Sequence, residues 1–177
     1  FNAAAQMVRN DPVLSGMCKI IDSQKRIVFY ETASFYRAIS AEAYSKHGFN
    51  AHAVIYDEIH SAPNRELWDV LSTSMGARTQ PLMLGITTAG YDRNSICWEL
   101  HDYGRKVQDG VIDDPTFFPL IFAADDDDDW TDERVWKKAN PNLGVSVKID
   151  FLRRECKRAQ EIPAYQNTFR RLYLNQW

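Results

Sequence analysis

Two adjacent acids, Asp57 and Glu58, follow directly on the apolar run Ala53 to Tyr56. Burying neighbouring carboxylates is costly without cations or hydrogen bonds, so we expect the pair at the exposed carboxyl end of a strand, where α/β sheets bind ligands. Successive strand side chains diverge, so Asp57 could face the Mg²⁺ of a bound nucleotide while Glu58 points toward an attacking water. An acidic turn after an ordinary strand is the plainer alternative, and the apolar run before the acids favours the catalytic interpretation.

A second apolar run, Pro81 to Thr88, ends in two hydroxyl side chains and is followed by Ala-Gly. We expect Thr87 and Thr88 at the same sheet edge as the acids, where hydroxyls can sense a γ-phosphate or its water. The alternative is a plain exit from strand to loop through a turn that glycine permits.

The elements that must position these residues alternate between strand and helix. Apolar residues recur at helical spacing between the two runs, from Leu67 to Met75, and again after the second, from Ile96 to Val107. This alternation predicts an α/β fold with a parallel sheet, and the continuous apolar run before the acids predicts a strand buried on both faces. Phe117 to Phe122 is a further strand candidate.

The first fifty residues have a different pattern. A helix is predicted to end before Pro12, because the residue preceding a proline is pushed out of the α region. The β-rich runs Lys19 to Asp22 and Arg26 to Glu31 predict a hairpin, and Phe35 to Ile39 a third strand. A brief helix is predicted from Ser40 to near Gly48.

Composition places the chain among ordinary globular proteins. Its 177 residues are 45% hydrophobic and 25% charged, which excludes collagen-like and wholly disordered classes. No apolar run approaches the roughly 18 residues of a membrane span, and we expect a cytosolic protein. Because the net charge is −3, any grip on nucleic acid needs a local basic face.

The run Asp125 to Asp129 is a break in composition, since five adjacent like charges repel and favour a solvated linker. The residues beyond it are predicted to be mainly helical. A basic cluster lies there and could track DNA phosphates, although a solvated helix face is the plainer interpretation. The candidates for DNA contact are Arg153, Arg154, Lys157 and Arg158.

The motifs VIYDEIHSA and LGITTAG resemble the Walker B and coupling motifs of phage terminase large subunits. The later stretches DDWTDERVWKKANPNLGVSV and EIPAYQNTFRRLYLNQW resemble the segment that links ATPase to nuclease in that family. The resemblance implies a partial P-loop NTPase sheet of the RecA-like (ASCE) type, followed by a small helical linker or lid. It places the C-terminal part of an ATPase domain at residues 1–124 and the helical subdomain at residues 125–177.

This resemblance also implies a function, namely part of the ATP-hydrolysing motor that packages double-stranded viral DNA into procapsids. ATP and Mg²⁺ would be required, with Asp57 helping to hold the metal, Glu58 activating water, and Thr87 and Thr88 forming the coupling motif. The implied partners are DNA, a portal protein, a small terminase subunit and copies of the same protein in a ring, with no membrane. The expected location is the cytoplasm of the bacterial host, transiently at the procapsid portal.

One departure from the family pattern is large, because this sequence contains no GxxxxGK[ST] phosphate-binding loop. The nuclease domain is expected beyond Trp177. The chain alone is therefore expected to hydrolyse ATP poorly and not to cut DNA. Ring motors also need a cation at the γ-phosphoryl group, supplied between subunits, and Arg78, Arg93 and Arg105 are candidates.

Two other functions remain open on these residues. DEIH followed by ITTAG also resembles helicase motifs II and III, although a helicase should carry a QxxGRxGR-type arginine motif, which this sequence lacks. The missing phosphate-binding loop instead favours a non-catalytic assembly or binding remnant. A phosphate-binding loop encoded in frame upstream would favour the motor over the remnant.

Overall fold

The computed structural model describes residues 1–40 and 48–177, and the chain divides into two compact units, residues 1–47 and 48–177. The helix predicted from Ser40 to near Gly48 lies outside the described residues. Among the described helices, none has both the length and the apolar composition that a membrane span requires.

The described residues of the first unit form two α-helices and a three-stranded antiparallel sheet in the order β1-β2-β3. Its elements are α1 (Asn2–Asn10), α2 (Pro12–Met17), β1 (Cys18–Ile21), β2 (Arg26–Phe29) and β3 (Phe35–Arg37). The hairpin predicted from the β-rich runs is confirmed, as is the third strand. A core of Ala5, Val8 and Ile27 forms between α1 and one face of the sheet.

Pro12 ends one helix and begins the next. The carboxylate of Asp11 accepts the backbone N–H groups of Val13 and Leu14 at 2.8 and 3.0 Å, which caps α2. Proline suits the first helical position because its missing N–H would have no partner there.

The second unit pairs two parallel strands and surrounds them with helices. Its elements are β4 (Ala53–Asp57), α3 (Glu66–Thr73), β5 (Leu82–Ile86), α4 (Ile96–Gln108), α5 (Glu133–Ala139), α6 (Ile149–Glu161) and α7 (Pro163–Leu174). The parallel α/β pattern predicted from the sequence is confirmed, and the register sets Asp57 beside Ile86. The last three helices form their own apolar core around Trp136, Leu152 and Phe169.

The strand predicted at Phe117 to Phe122 is wrong. These residues pair with no strand and instead pack along α4, where Phe117 contacts Tyr103 edge to face with ring centroids 5.0 Å apart. Pro119 has no N–H to donate to a ladder, and its carbonyl accepts the Gln108 side-chain amide at 3.3 Å. Contact with a helix therefore replaces strand pairing.

The prediction that β4 is buried on both faces is also wrong. Val54 and Tyr56 are half-buried, while Ile55 on the other face is 67% exposed and its neighbour Leu84 on β5 is 43% exposed. Within the described part of the chain the parallel sheet has two strands, and α3 and α4 contribute apolar side chains only to the Tyr56 side. One face is thus left in solvent.

The acidic run is only partly the solvated linker expected of it. Asp125 and Asp128 both accept hydrogen bonds from Lys138, at 2.5 and 2.6 Å, while Asp126 and Asp127 are exposed. The bond from Lys138 is the main cause that lowers the pKa of Asp128. The boundary predicted between residues 124 and 125 remains a prediction.

Candidate functional site

The two acids lie where β4 ends. Asp57 is its last residue and Glu58 leaves it with a left-handed backbone (φ 55°, ψ 47°), a conformation uncommon for a side chain other than glycine, asparagine or aspartate. Asp57 Oδ1 accepts the Glu58 N–H at 3.0 Å, and the Glu58 carbonyl accepts the Ser61 hydroxyl at 2.8 Å. Both carboxylates are thereby turned out of the strand into solvent, with 59% of the Glu58 side chain exposed.

His60 joins the acids to the threonines. Its Nδ1 lies 3.1 Å from Glu58 Oε2, 3.2 Å from Thr87 Oγ1 and 3.4 Å from Thr88 Oγ1. Its backbone N–H also donates to Thr87 Oγ1 at 3.0 Å. The expected meeting of acids and hydroxyls at one sheet edge is thus observed, and it runs through His60, whose contacts with the threonines the sequence did not predict.

The short 3₁₀ helix Ile59–Ser61 holds His60 in place through its buried neighbour Ile59. Ile59 is 3% exposed and packs with Ile96 and Cys97 of α4. A Cβ on Gly85 of β5 would lie 2.7 Å from Ile59 Cδ1, closer than such atoms approach. Glycine at position 85 therefore allows the 3₁₀ helix that follows β4 to pack closely against β5.

Thr87 has contacts on both sides. Its hydroxyl donates to the Thr88 carbonyl at 3.0 Å and lies 3.5 Å from the Cys97 thiol. Burial raises the pKa of Cys97, and the hydrogen bond with Thr87 opposes this shift. The Cys97 thiol therefore stays neutral and packs against the loop that carries Thr87.

The segment Asn175–Trp177, here named the C-terminal clasp, reaches the loop that follows the threonines. Asn175 Nδ2 donates to the Phe122 carbonyl at 2.9 Å, and Asn175 Oδ1 accepts the Ala89 N–H at 3.4 Å. The Trp177 ring lies 3.1 Å from the point that a Cβ on Gly90 would occupy. The loop after β5 is therefore tied to residues that come 86 positions later.

The chemistry of the donors fits a nucleotide-held Mg²⁺. Mg²⁺ is usually held by one or two carboxylates together with substrate phosphates, and Asp57 presents an exposed carboxylate at the end of β4. Among residues 1–40 and 48–177, no group of three or more histidine, cysteine or acidic side chains is arranged to hold a metal by itself.

The basic candidates on α6 differ in their surroundings. Arg153 is held by ion pairs to Glu133 and Asp150, at 2.6 and 2.9 Å. Lys157 and Arg158 form longer ion pairs, to Glu161 and Glu155, each at 3.9 Å. All four side chains, including that of Arg154, are exposed.

The candidate inter-subunit arginines are all engaged within this chain. Arg78 donates to the Asn50 carbonyl at 2.7 Å, and Arg93 donates to the Trp177 carbonyl at 3.2 Å. Arg105 lies 3.7 Å from Asp125. Any of them would have to leave its present contact to act on a neighbouring subunit.

Comparison with known proteins identifies the family to which this chain belongs. The model for the ATPase domain of terminase large subunits matches residues 1–106, and the model for their endonuclease domain matches residues 111–177. The chain belongs to the terminase large-subunit family. The predicted resemblance to terminase large subunits is confirmed.

Individual relatives agree with this membership. The chain is 30% identical over 179 residues to the terminase large subunit of Enterobacteria phage HK97, covering 99% of this chain and 34% of that protein. It is 38% identical over 130 residues to Protein YmfN of Escherichia coli K12, covering 73% of this chain and 29% of that protein. The crystal structure of the HK97 large terminase superposes with a TM-score of 0.85 at 28% identity, over 99% of this chain and 36% of that one. This terminase chain thus spans about a third of the length of the relatives it matches.

The boundary between the two family matches is not a structural boundary in this terminase chain. Residues 48–177 form one compact unit that contains the end of the first match and all of the second. The C-terminal clasp lies in the second match and contacts Ala89 and Gly90 in the first. Residues assigned to the endonuclease model therefore complete the surroundings of the threonine loop.

Proposed function

We propose that this chain is part of the ATP-hydrolysing motor of a terminase large subunit that packages double-stranded viral DNA into procapsids. Membership of the family supports the proposal. The observation that carries it is the junction of two acids and two threonines at one strand edge, with His60 within 3.4 Å of Glu58, Thr87 and Thr88.

In the proposed mechanism each residue at the edge has a separate task. Mg²⁺ supplies charge neutralisation at the phosphates when the nucleotide is bound, and Asp57 would help hold it. Glu58 accepts a proton from the attacking water or orients it. Thr87 and Thr88 sense the γ-phosphate and pass its loss to Glu58 through His60.

The chain by itself is proposed to be a poor ATPase. Its sequence contains no GxxxxGK[ST] loop, whose amides and lysine cradle the phosphates in P-loop NTPases. That same observation favours the second candidate, a non-catalytic assembly module that retains the motor's surfaces.

Partners follow from the proposed motor. They are double-stranded DNA, a portal protein, a small terminase subunit and further copies in a ring, in the cytoplasm of the bacterial host and at the procapsid portal. The proposed DNA contacts on α6 are four exposed basic side chains, Arg153, Arg154, Lys157 and Arg158.

A chimaera tests the proposal. This chain replaces the corresponding residues of a terminase large subunit that carries a GxxxxGK[ST] loop, and ATP turnover is measured. We expect turnover in the chimaera, a loss of at least about 100-fold with Glu58→Gln, and little turnover by the chain alone. Glu66→Gln is the matched control, since it makes the same change at an exposed glutamate at the start of α3.

The outcomes separate the two candidates. A folded chimaera without turnover that still assembles with its partners supports the assembly module and rejects the motor. Turnover that survives Glu58→Gln rejects the proposed role of that glutamate.

A further inference from the structure

The three-stranded sheet of the first unit has an outer face to which neither α1 nor α2 contributes core contacts. Ile27 and Ile20 point toward α1, so alternate residues on each strand point the other way. We call this set the outer sheet face; it consists of Lys19, Ile21, Arg26, Val28, Phe35 and Arg37. It carries three cations and no acid.

Two of these cations face each other across neighbouring strands. Arg26 and Arg37 are direct partners across β2 and β3, where like charges oppose strand pairing. Within residues 1–40 and 48–177 no carboxylate forms an ion pair with either of them, whereas Arg9 in the same unit is paired with Asp22 at 2.8 Å. An anion bound across the two strands would relieve this repulsion.

Phe35 fixes the central cation. The guanidinium of Arg26 lies 3.6 Å from the centre of the Phe35 ring, and its Nε is buried without a hydrogen-bond partner among the described residues. This cation–π contact holds the Arg26 guanidinium at the Phe35 ring. Lys19 and Arg37 flank it and are exposed, as is Phe35 at 53%.

We propose that the outer sheet face is a second DNA-contacting surface, in addition to α6, and that it binds the phosphate backbone of a duplex. The inference rests on the proposed packaging function, which supplies duplex DNA as the ligand. Phosphate contacts from lysine and arginine need no base sequence, as a packaging motor requires. An acidic protein is a poorer fit, because the cores of protein interfaces are depleted of charge and this face has cations at its centre.

The test is duplex binding by the intact chain, measured by fluorescence anisotropy over a series of salt concentrations. The variant is Lys19→Ala with Arg37→Ala, which leaves Arg26 on Phe35 and changes only exposed side chains. We expect several-fold weaker binding and a salt slope reduced by about 2, because each lost phosphate contact removes about 0.9.

Two further double variants make the result specific. Lys106→Ala with Arg134→Ala removes the same charge from side chains already paired with Asp102 and Asp132, and binding should change little. Arg154→Ala with Lys157→Ala tests α6 independently, and its loss should add to that of the sheet variant.

Several results would overturn the inference. One is unchanged affinity and slope in the sheet variant, and another is an equal loss in the Lys106 and Arg134 control. Absence of any salt-dependent duplex binding by the intact chain would also overturn it, as would equal competition by polyglutamate, which indicates an acidic protein partner. If only the α6 variant weakens duplex binding, the sheet surface is rejected but the proposed packaging function is not. That function is tested separately by ATP turnover in the chimaera, which does not depend on the result for the sheet.

Discussion

At the scale of single residues, the site depends on a backbone that leaves its strand sharply. Glu58 takes a left-handed conformation, which for an L side chain costs about 1–2 kcal/mol. Hydrogen bonds from Glu58 N–H to Asp57 and from Ser61 to the Glu58 carbonyl offset that cost. This turn at Glu58 places His60 close to both threonines that follow β5.

Gly85 is predicted to be intolerant of even one added methyl group. Gly85→Ala places a Cβ 2.7 Å from Ile59 Cδ1, so we expect a loss of about 1–3 kcal/mol in the free energy of unfolding by urea.

Two variants control for this prediction. Ile59→Val removes Cδ1, so the double variant should be less destabilised than the sum of the two single variants. Gly16→Ala has no atom within 4 Å and lies in α2, so it should be neutral or slightly stabilising. Strict additivity at positions 59 and 85 would show that the close approach is not what limits position 85.

At the scale of elements, the C-terminal clasp links the threonine loop to α7. Asn175 ends α7 in a left-handed conformation (φ 52°), which aims its amide between Phe122 and Ala89. Trp177 then packs against Trp98 and His101, with ring centroids 5.0 and 5.5 Å away. A movement of the threonine loop would therefore change the contacts of Asn175 and Trp177 at the end of α7.

Asn175→Gly is predicted to loosen that link. Glycine tolerates the backbone angle but removes two side-chain hydrogen bonds, so we expect a loss of about 1–2 kcal/mol in the free energy of unfolding. Amide hydrogen exchange at Ala89 should accelerate. Asn175→Ala should cost more, because it adds left-handed strain. Unchanged exchange at Ala89 in both variants would contradict the link.

The aromatic cluster predicts a pH dependence. Burial lowers the pKa of His101 below 6.5; Arg105 and Arg93 lower it further, and Asp102 raises it. Just below pH 6.5, His101 is protonated in the unfolded chain but still neutral in the folded chain. Proton binding therefore favours unfolding, and the free energy of unfolding decreases as the pH falls from 6.5 toward the pKa of His101 in the folded chain.

A comparison of two proteins measures this effect. The free energy of unfolding should drop less between pH 7 and pH 5 in His101→Phe than in the unaltered chain, because phenylalanine keeps the stacking and does not titrate. An equal drop in both proteins would assign the acid sensitivity to other groups.

At the scale of the whole molecule, the structural units and the family matches divide the chain differently. The structural division falls after residue 47, whereas the family models meet between residues 106 and 111. The apolar core of α5, α6 and α7 includes Ala124, before the first of these helices, and Ala124 donates its N–H to the Leu174 carbonyl at 2.9 Å. The second unit is therefore expected to fold as a whole.

Fragments test that expectation. Residues 48–177 should give one cooperative thermal transition, and residues 48–110 should give none, because they lose the clasp and the helical core. A cooperative transition in the shorter fragment would show that the ATPase-matched residues fold without the rest.

Sequence alone determined the parts whose signals are local. Apolar patterns located most of the strands and helices, although not α2 and wrongly a strand at Phe117 to Phe122. The acids and hydroxyls at two strand ends indicated one shared edge, because parallel strands end on the same side. The chemistry proposed for Asp57 and Glu58 was available at this stage.

Only the tertiary structure decided which side chains connect these parts. The contacts of His60 with both threonines depend on a left-handed residue that no periodicity indicates, although its position two residues after Glu58 was a signal. Asn175 carries no local signal at all, because its partner Ala89 is 86 residues away. The exposure of Ile55 was equally hidden, since an apolar run records the character of a strand but not how many neighbours cover it.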